Sequence, residues 1–369
     1  MIGAGVDDTT LKAIIDRAFD FPVVLQPVSS SIDSLELWHG PSLAFKDFGA
    51  RFMAGLMSHY NQNNDQKLTI LVATSGDTGG AVAYGFLGVP GIEVIILYPS
   101  GKVSELQEKQ LTTLGQNITA CEIQGSFDDC QSLVKEAFTD ADLNQKYRLS
   151  SANSINIARL IPQSFYYFEA YRQWTGSGKW VCSVPSGNFG NLTAGLMAKQ
   201  MGLPIHHFVA ATNVNKVVPD YLESGEYEPR ASVSTLSNAM DVGQPSNFVR
   251  MMALYQQSWL SLKADLSGFW ATDEETKVEM KRVFDNSGYV LDPHGAIGHL
   301  ALRKYLETHG GSGFFLETAH PAKFLDTVEA ALGQTIEIPE RLAQLKDRKK
   351  EAVGLGSEFG PFKDFLLSR

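Results

Sequence analysis

The fold of this protein can be inferred from residues 68–83, LTILVATSGDTGGAVA. The run from Leu68 to Ala73 is almost continuously apolar, which is typical of a parallel strand covered on both faces. A glycine-rich loop follows, and then a helical stretch that ends near Gly88-Val89-Pro90, where glycine and proline form a usual helix stop. A second strand of the buried type, Glu93–Leu97, comes next. The region therefore predicts a strand–helix–strand unit with parallel strands.

The same pattern returns farther along the chain, beginning with KWVCSVPSGNFGNLTA at residues 179–194. It gives a strand at Lys179–Val184, a glycine loop, a helix at Leu192–Met201 and another strand at His207–Ala211. Two such units far apart in sequence predict an α/β protein. We expect two lobes, each built on a parallel or mostly parallel twisted sheet with helices on both faces, and a cleft between them.

Composition narrows the functional classes. The chain has 369 residues, of which 44% are hydrophobic, and this length favours two or three domains. The formal net charge of −10 disfavours nucleic-acid binding, which needs a basic face. No apolar run reaches the roughly 18–20 residues of a membrane span, and the first residues do not resemble a secretory signal. Three cysteines without a disulfide or metal pattern favour a cytoplasmic protein, and we expect no metal.

Two glycine loops are candidate anion sites, because each one precedes a helix. The first is Thr74–Gly80 and the second is Ser186–Asn191. Free backbone amides and the positive end of the helix dipole attract an anion at such a turn, and glycine permits close approach. Both loops could instead be tight turns without a ligand. Neither matches a Walker A or a GxGxxG pattern, so nucleotide binding is disfavoured.

Lys46 is the candidate nucleophile. It lies at the predicted start of a helix, Asp47 to about Asn61, where the helix dipole would lower its pKa and suit it to Schiff-base formation. The alternative is a surface lysine beside an N-capping Asp47. A nucleophilic amine together with two anion loops fits an aldehyde cofactor that bears a phosphate, and an anionic substrate.

Several motifs carry a family resemblance. Residues 39–49, HGPSLAFKDFG, closely resemble the signature HGPTLAFKDFG of the threonine synthase family, whose members are pyridoxal-phosphate enzymes of fold type II. The resemblance extends from about residue 10 to about residue 340. Its further motifs are TSGDTGGAVA at 74–83, NSINIARL at 153–160, VPSGNFGN at 184–191, AATNVN at 210–215, TLSNAMDV at 235–242 and TAHPAKF at 318–324.

The resemblance implies a role for each matching residue, with pyridoxal 5'-phosphate in the cleft between the lobes. Lys46 would bind the cofactor as a Schiff base, and Thr318 would hydrogen-bond its pyridine nitrogen. The loop that would hold the cofactor phosphate comprises Gly187, Asn188, Phe189, Gly190 and Asn191. The loop that would bind the substrate carboxylate comprises Ser75, Gly76, Asp77 and Thr78. The residues that would receive the substrate phosphate are Asn153, Ser154 and Arg159, with Thr78 and Asn188 close by.

Some interpretations remain open at this point. Arg159 could form a salt bridge on a helix face instead, although its planar guanidinium suits phosphate. Related enzymes often carry Asn where this chain has Asp77, and the sequence does not reveal the orientation or protonation of this acid. His294 and His299 lack an evident carboxylate partner and are interpreted as structural, while His320 lies in a family motif and has two equally plausible roles.

The resemblance also implies a domain division. Residues 1–22 would be the remnant of an N-terminal helical segment, since such enzymes usually have several dozen more residues there. Residues 45–160 would form the smaller lobe with the substrate loop. Residues 23–44 and 161–369 would form the larger lobe with the cofactor-phosphate loop, and the chain from Pro339 onward is predicted to be a polar helix and a tail. A monomer or a homodimer is expected.

The implied activity is conversion of O-phospho-L-homoserine and water into L-threonine and phosphate. Three alternatives remain. The chain could be a dehydratase of threonine or serine, or a homologue that cleaves other phosphorylated substrates. It could also be an inactive, truncated protein that only binds the cofactor.

Overall fold

The computed structural model describes residues 5–153 and 156–369. The strands are β1 (Val24–Pro27), β2 (Ile32–Glu36), β3 (Leu68–Ala73), β4 (Ile92–Pro99), β5 (Ile118–Gln124), β6 (Arg148–Ser151), β7 (Trp180–Pro185), β8 (His207–Thr212), β9 (Leu266–Trp270), β10 (Ser312–Glu317) and β11 (Val353–Gly356). The helices are α1 (Asp8–Ala18), α2 (Lys46–Asn61), α3 (Asp77–Phe86), α4 (Glu105–Thr112), α5 (Phe127–Thr139), α6 (Ala141–Lys146), α7 (Ile157–Leu160), α8 (Gln163–Gln173), α9 (Gly190–Gln200), α10 (Val217–Ser224), α11 (Phe248–Leu254), α12 (Trp259–Asp265), α13 (Asp273–Ser287), α14 (Pro293–His309), α15 (Leu325–Leu332), α16 (Glu340–Lys346) and α17 (Phe359–Leu367). Short 3-10 helices occupy Asn238–Met240 and Pro321–Phe324.

The strands form two sheets. The larger sheet has six strands in the order β1-β2-β10-β7-β8-β9, and only the β1–β2 pair in it is antiparallel. The smaller sheet has five strands in the order β11-β5-β4-β3-β6, all paired in parallel. The predicted α/β architecture with mostly parallel sheets is therefore confirmed.

Helices cover both faces of each sheet, because the parallel strands are apolar on both sides. In the six-stranded sheet, Phe314 and Phe208 pack with the residues of α8 and α9, while Phe315 packs with those of α13 and α14 on the opposite face. In the five-stranded sheet, Val72 faces α2 and α3, and Leu71 faces α5 and α17. Each sheet thus has its own two-sided core.

The C-terminal segment differs from the prediction. Residues after Pro339 were predicted to be a polar helix and a tail of the larger lobe. Instead, β11 pairs in parallel with β5, and α17 buries Phe362 and Leu366 against the five-stranded sheet. The C-terminal segment therefore belongs to the smaller sheet, because these apolar side chains complete the hydrophobic core between that sheet and α5.

At the other end, α1 packs against α2 through Ile14 and Ala18. Residues 1–4 of the predicted N-terminal segment 1–22 lie outside the described residues. We propose that residues 45–160, joined by the C-terminal strand and helix, form one lobe, and that residues 23–44 and 161 to about 350 form the other. No helix within the described ranges is both long and apolar enough to cross a membrane.

Candidate active site

A cavity of about 790 Å³ is lined by the last residues of β3 and β7, Ala73 and Pro185. This is the edge at which open α/β sheets bind ligands. The predicted site residues that line it are Lys46, Ser75, Gly76, Asp77, Thr78, Asn153, Arg159, Gly187, Asn188, Phe189, Gly190, Asn191 and Thr318. Ser154 lies outside the described residues. Segments far apart in sequence therefore meet in one cavity.

Lys46 is the first residue of α2 and reaches the cavity. Burial lowers the pKa of its amine to about 8, and the positive charges of Arg159 and Lys323 act in the same direction, while Asp77 opposes them. The neutral, nucleophilic amine is therefore accessible near neutral pH. The next residue, Asp47, is buried and accepts a hydrogen bond from the Ser42 amide (2.8 Å), so it faces the preceding loop and does not act as an exposed cap.

Thr318 follows the end of β10 and is brought to Lys46 by backbone pairing. Its carbonyl accepts a hydrogen bond from the Phe45 amide at 2.8 Å, and the His320 amide donates to the Leu43 carbonyl at 3.0 Å. These two bonds join the segment before α2 to the end of β10. Thr318, one residue past the strand, lines the same cavity as the lysine.

The loop Ser186–Asn191 ends at the N-terminus of α9. A Cβ atom at residue 187 would lie 2.6 Å from the Ala239 carbonyl oxygen and 2.7 Å from Met240 Cα, so only glycine fits there. Phe189 has a left-handed backbone, with φ of 60°, which turns the chain into the helix. The first amides of α9 then point toward the cavity end of the helix, where an anion is favoured.

Asn191 gives the strongest indication of a ligand at this loop. Its Oδ1 accepts hydrogen bonds from the hydroxyls of Tyr166 (2.5 Å) and Tyr167 (2.8 Å), while its Nδ2 is buried without a partner among the described residues. A buried donor without an acceptor is costly, and an anion at the start of α9 would accept its hydrogen bond. The loop therefore fits the phosphate of pyridoxal phosphate.

The segment Ser75–Thr78 runs into the first turn of α3, and the structure settles the orientation of its acid. Asp77 is buried, and its Oδ1 lies 2.5 Å from Lys323 Nζ and accepts a hydrogen bond from Gln107 Nε2 at 2.9 Å. Burial raises the pKa of Asp77, but Lys323, Lys46 and the hydrogen bonds outweigh it and lower the pKa to about 2. Asp77 is therefore ionised, and its charge is paired.

Arg159 lies on α7 and is only 3% exposed. Its Nη1 donates to the Ala152 carbonyl at 2.5 Å, and its Nε is buried without a partner among the residues described. Burial lowers its pKa to about 10, with Asp47 opposing this, so the guanidinium stays charged at neutral pH. Its contacts are not those of a salt bridge on a helix face. A buried cation with an unused donor at a cavity suits an anionic ligand.

His294 was interpreted from sequence as structural without a carboxylate partner, and the second part of that interpretation is wrong. It lines the cavity, and its Nδ1 lies 2.6 Å from Asp292 Oδ1. Its Nε2 accepts a hydrogen bond from the Ala239 amide at 3.3 Å. The pattern Asp292-Pro293-His294 at a helix start was the available signal, since Asp292 is an N-cap residue.

His299 also has a carboxylate partner that the sequence did not reveal. Its Nδ1 lies 2.7 Å from Oε1 of the buried Glu279, whose Oε2 in turn contacts Arg303. His320 accepts a hydrogen bond at Nδ1 from the Ala322 amide and so caps the 3-10 helix. Both histidines therefore have evident structural contacts.

Comparison with known proteins agrees with this geometry. The family model described as pyridoxal-phosphate dependent enzyme matches residues 35–313, and the model described as threonine synthase, C-terminal, matches residues 295–365. A relative named threonine synthase, from Serratia marcescens, is 49% identical over 99% of this chain and 85% of its own length.

Two solved structures also match. The crystal structure of threonine synthase from Escherichia coli has a TM-score of 0.92 and 47% identity, covering 100% of this chain and 85% of that chain. The structure of PLP-bound threonine synthase from Brucella melitensis has a TM-score of 0.92 and 35% identity, covering 99% and 85%. The fold and the matched models define a pyridoxal-phosphate-dependent enzyme of fold type II, and its cofactor is pyridoxal phosphate. Within that class, the chain belongs to the threonine synthase family.

Proposed function

We propose that this protein converts O-phospho-L-homoserine and water into L-threonine and phosphate. The observation that carries the proposal is the position of Arg159, a buried cation with an unpartnered Nε, in the same cavity as Lys46. A dehydratase of serine or threonine has no substrate phosphate for such a cation. The membership of the threonine synthase family supports the same activity.

The cofactor would be held at three points. The start of α9 and the Nδ2 atom of Asn191 would bind its phosphate, Lys46 would bind its aldehyde carbon, and the Thr318 hydroxyl would donate to the ring nitrogen. When bound, pyridoxal phosphate supplies an electron sink for negative charge at the substrate Cα. Thr318 is a neutral donor that keeps its own proton, which moderates this electron demand.

The substrate would be oriented by two anion sites. The N-terminus of α3, with the side chains of Ser75 and Thr78, would bind the carboxylate. Arg159 would bind the phosphate, with Asn153 and Asn188 completing the site. We also assign Ser154 to this phosphate site on the family motif alone.

Lys46 would move the protons. Its neutral amine would take the Cα proton, release it, and then take a Cβ proton, which the resulting ammonium would deliver to Cγ after phosphate leaves; Cα would be reprotonated in the last step. The lowered pKa of about 8 lets the amine accept and return protons near neutral pH. Arg159 would stabilise the departing phosphate, which can then serve as the base for the water that adds at Cβ.

A turnover assay tests this proposal. Purified protein with pyridoxal phosphate is incubated with O-phospho-L-homoserine, and free phosphate and L-threonine are both measured. We expect equal amounts of the two products. Phosphate without threonine would identify a phospholyase, turnover of L-threonine or L-serine alone a dehydratase, and no turnover by a cofactor-loaded protein an inactive homologue.

Two further assignments concern the setting of the enzyme. We propose a cytoplasmic location, supported by the free and buried state of Cys121, Cys130 and Cys182. We also propose a monomer or a homodimer, which sedimentation would distinguish.

A further inference from the structure

The substrate loop contains an acid that is unfavourable for its proposed role. Asp77 is the first residue of α3, lines the cavity and is ionised. An anionic substrate with a carboxylate and a phosphate would approach this negative charge. Like charges at close range repel each other strongly where water is excluded. The loop can bind a carboxylate only if the charge of Asp77 is balanced.

Lys323 provides that balance from outside the cavity wall. Its side chain is fully buried, and its Nζ lies 2.5 Å from Asp77 Oδ1 and donates a hydrogen bond to the Ser42 carbonyl at 2.8 Å. Burying an ammonium and a carboxylate together costs desolvation energy, so such a pair often adds little net stability. A role in function explains its presence better than a role in stability alone.

The pair also joins the two sheets. Lys323 follows β10 of the six-stranded sheet, whereas Asp77 follows β3 of the five-stranded sheet. The Ser42 carbonyl that Lys323 contacts lies just before Lys46, and it also accepts a hydrogen bond from Gln110 Nε2 on α4 at 3.0 Å. The substrate loop is thereby tied to the segment that carries the reactive amine.

We propose that Lys323 is a positioning and specificity-determining residue, which neutralises Asp77 and fixes the Ser75–Thr78 loop beside Lys46 so that the loop accepts a carboxylate. This inference rests on the proposed function in that the ligand of the loop is the carboxylate of an amino acid. Lys323 acts through Asp77 and touches neither substrate nor cofactor.

The test begins with Lys323→Met in the cofactor-loaded enzyme. The unpaired charge of Asp77 should raise the KM for O-phospho-L-homoserine by about tenfold, with a smaller change in kcat. L-Threonine, which carries the carboxylate, should bind about tenfold more weakly, while inorganic phosphate, bound by Arg159, should bind as before. Lys363→Met is the matched control, because Lys363 pairs with Asp140 and Asp142 away from the cavity.

Variants at Asp77 show whether Lys323 acts by neutralising a charge or only by holding the loop in place. Asp77→Asn removes the repelling charge and leaves Lys323 as an uncompensated positive charge beside the loop, so it should lower the KM for O-phospho-L-homoserine. Asp77→Asn combined with Lys323→Met should bring the raised KM of the lysine variant back toward the wild-type value. If the ion pair had only a structural role, both single variants would raise the KM for O-phospho-L-homoserine to the same extent. If Lys323→Met does not retain cofactor, the double variant decides: a KM near that of the wild type supports the inference, and a raised KM overturns it.

The inference and the proposed function fail in different ways. A wild-type enzyme that makes no threonine overturns the proposed function. The inference is tested by comparing the affinities of the wild type and the variant for L-threonine and for inorganic phosphate, and this measurement does not require turnover. An unchanged ratio of the two affinities in Lys323→Met, or an equal loss for both ligands, overturns it.

Discussion

The two glycine loops have the same sequence pattern but are stabilised differently. The loop before α3 is supported by charges, since Asp77 pairs with Lys323 and accepts from Gln107. The loop before α9 is supported by neutral groups, since Tyr166 and Tyr167 donate to Asn191. Both loops follow the carboxyl end of a parallel strand, yet only the first one carries an acid at the helix start.

The difference indicates how two loops with the same sequence pattern can be suited to different kinds of ligand. Neutral hydrogen bonds fix the second loop without adding charge, and they leave the buried Nδ2 of Asn191 able to donate to the cofactor phosphate that we propose for this loop. A balanced ion pair at the first loop leaves little net charge, so a substrate can bind there and depart. We therefore infer that the second loop retains the cofactor and the first loop exchanges ligands.

The largest effect should come from Lys46→Ala, because this amine lies at the cavity that both loops line. We expect activity to fall by about 10²- to 10⁴-fold, since the change removes the residue that we propose as general base and Schiff-base partner. The absorbance of the Schiff base should disappear. Lys67→Ala, which removes an exposed pair with Glu93, should retain both. Full activity in Lys46→Ala would contradict the assignment of this cavity, which both loops line, as the active site.

Arg159→Ala should affect substrate and cofactor unequally. We expect the KM for O-phospho-L-homoserine to rise about 30-fold or more, because the change removes the buried cation that we propose as the binding partner of the substrate phosphate. The dissociation constant for pyridoxal phosphate, measured by absorbance titration, should change far less. Equal losses would assign Arg159 to the cofactor loop and remove the distinction between the two loops.

Gly187→Val should damage the second loop and spare the first. The added side chain would meet the Ala239 carbonyl and Met240 Cα, so the loop must move away from its packed position. We expect cofactor affinity to fall by about 10- to 100-fold, as overpacking costs suggest. Gly354→Val is the matched control, because nothing lies within 4 Å of a Cβ atom there. Cofactor affinity equal in both variants would contradict the assignment of this loop.

Much of this site could be predicted because its signals are local. The strand, glycine loop and helix follow one another within residues 68–83, and Lys46 lies at a recognisable helix start. Local patterns fix local backbone geometry, and parallel strands bring their carboxyl ends to one edge. Lys46 and the two glycine loops could therefore be named from local patterns, whereas Asn153, Arg159 and Thr318 were named only through the family resemblance.

The remaining features depend on partners that are distant in sequence. Nothing near Asp77 predicts that its cation is Lys323, and nothing in the short run Val353–Gly356 predicts pairing with β5. Such contacts are set by tertiary packing, which a periodic pattern does not encode. The Asp292–His294 contact was different, because a helix-capping pattern could have revealed it.

A smaller effect is expected for His294→Phe. This variant tests whether the contact between His294 and Ala239, which lies against Gly187, stabilises the second loop. The change leaves the Ala239 amide and the Asp292 carboxylate without this partner, so the segment beside Gly187 should loosen. We expect cofactor affinity to fall by about five- to tenfold, the cost of an unsatisfied buried polar group. His309→Phe, at the exposed end of the same helix, is the control. An increase in KM alone would place His294 with the first loop.

The smallest effect should come from Tyr167→Phe. This variant tests whether the second loop is held by neutral hydrogen bonds, in contrast to the ion pair at the first loop. The Tyr167 hydroxyl lies within hydrogen-bond distance of both Oδ1 (2.8 Å) and the carbonyl oxygen (3.0 Å) of Asn191, and after its removal Tyr166 would still donate to the same Oδ1 at 2.5 Å. We expect a stability loss of about 1 kcal/mol in denaturant unfolding of the cofactor-free protein and a fall in cofactor affinity below about tenfold.

Tyr171→Phe, on the exposed side of α8, is the matched control for this change. Replacing both Tyr166 and Tyr167 with Phe should cost more than the sum of the single changes, because Asn191 Oδ1 then loses both donors. Strict additivity would mean that the two tyrosines act separately. The amide of Asn191 would then not be oriented by this pair, and the neutral support assigned to the second loop would be absent.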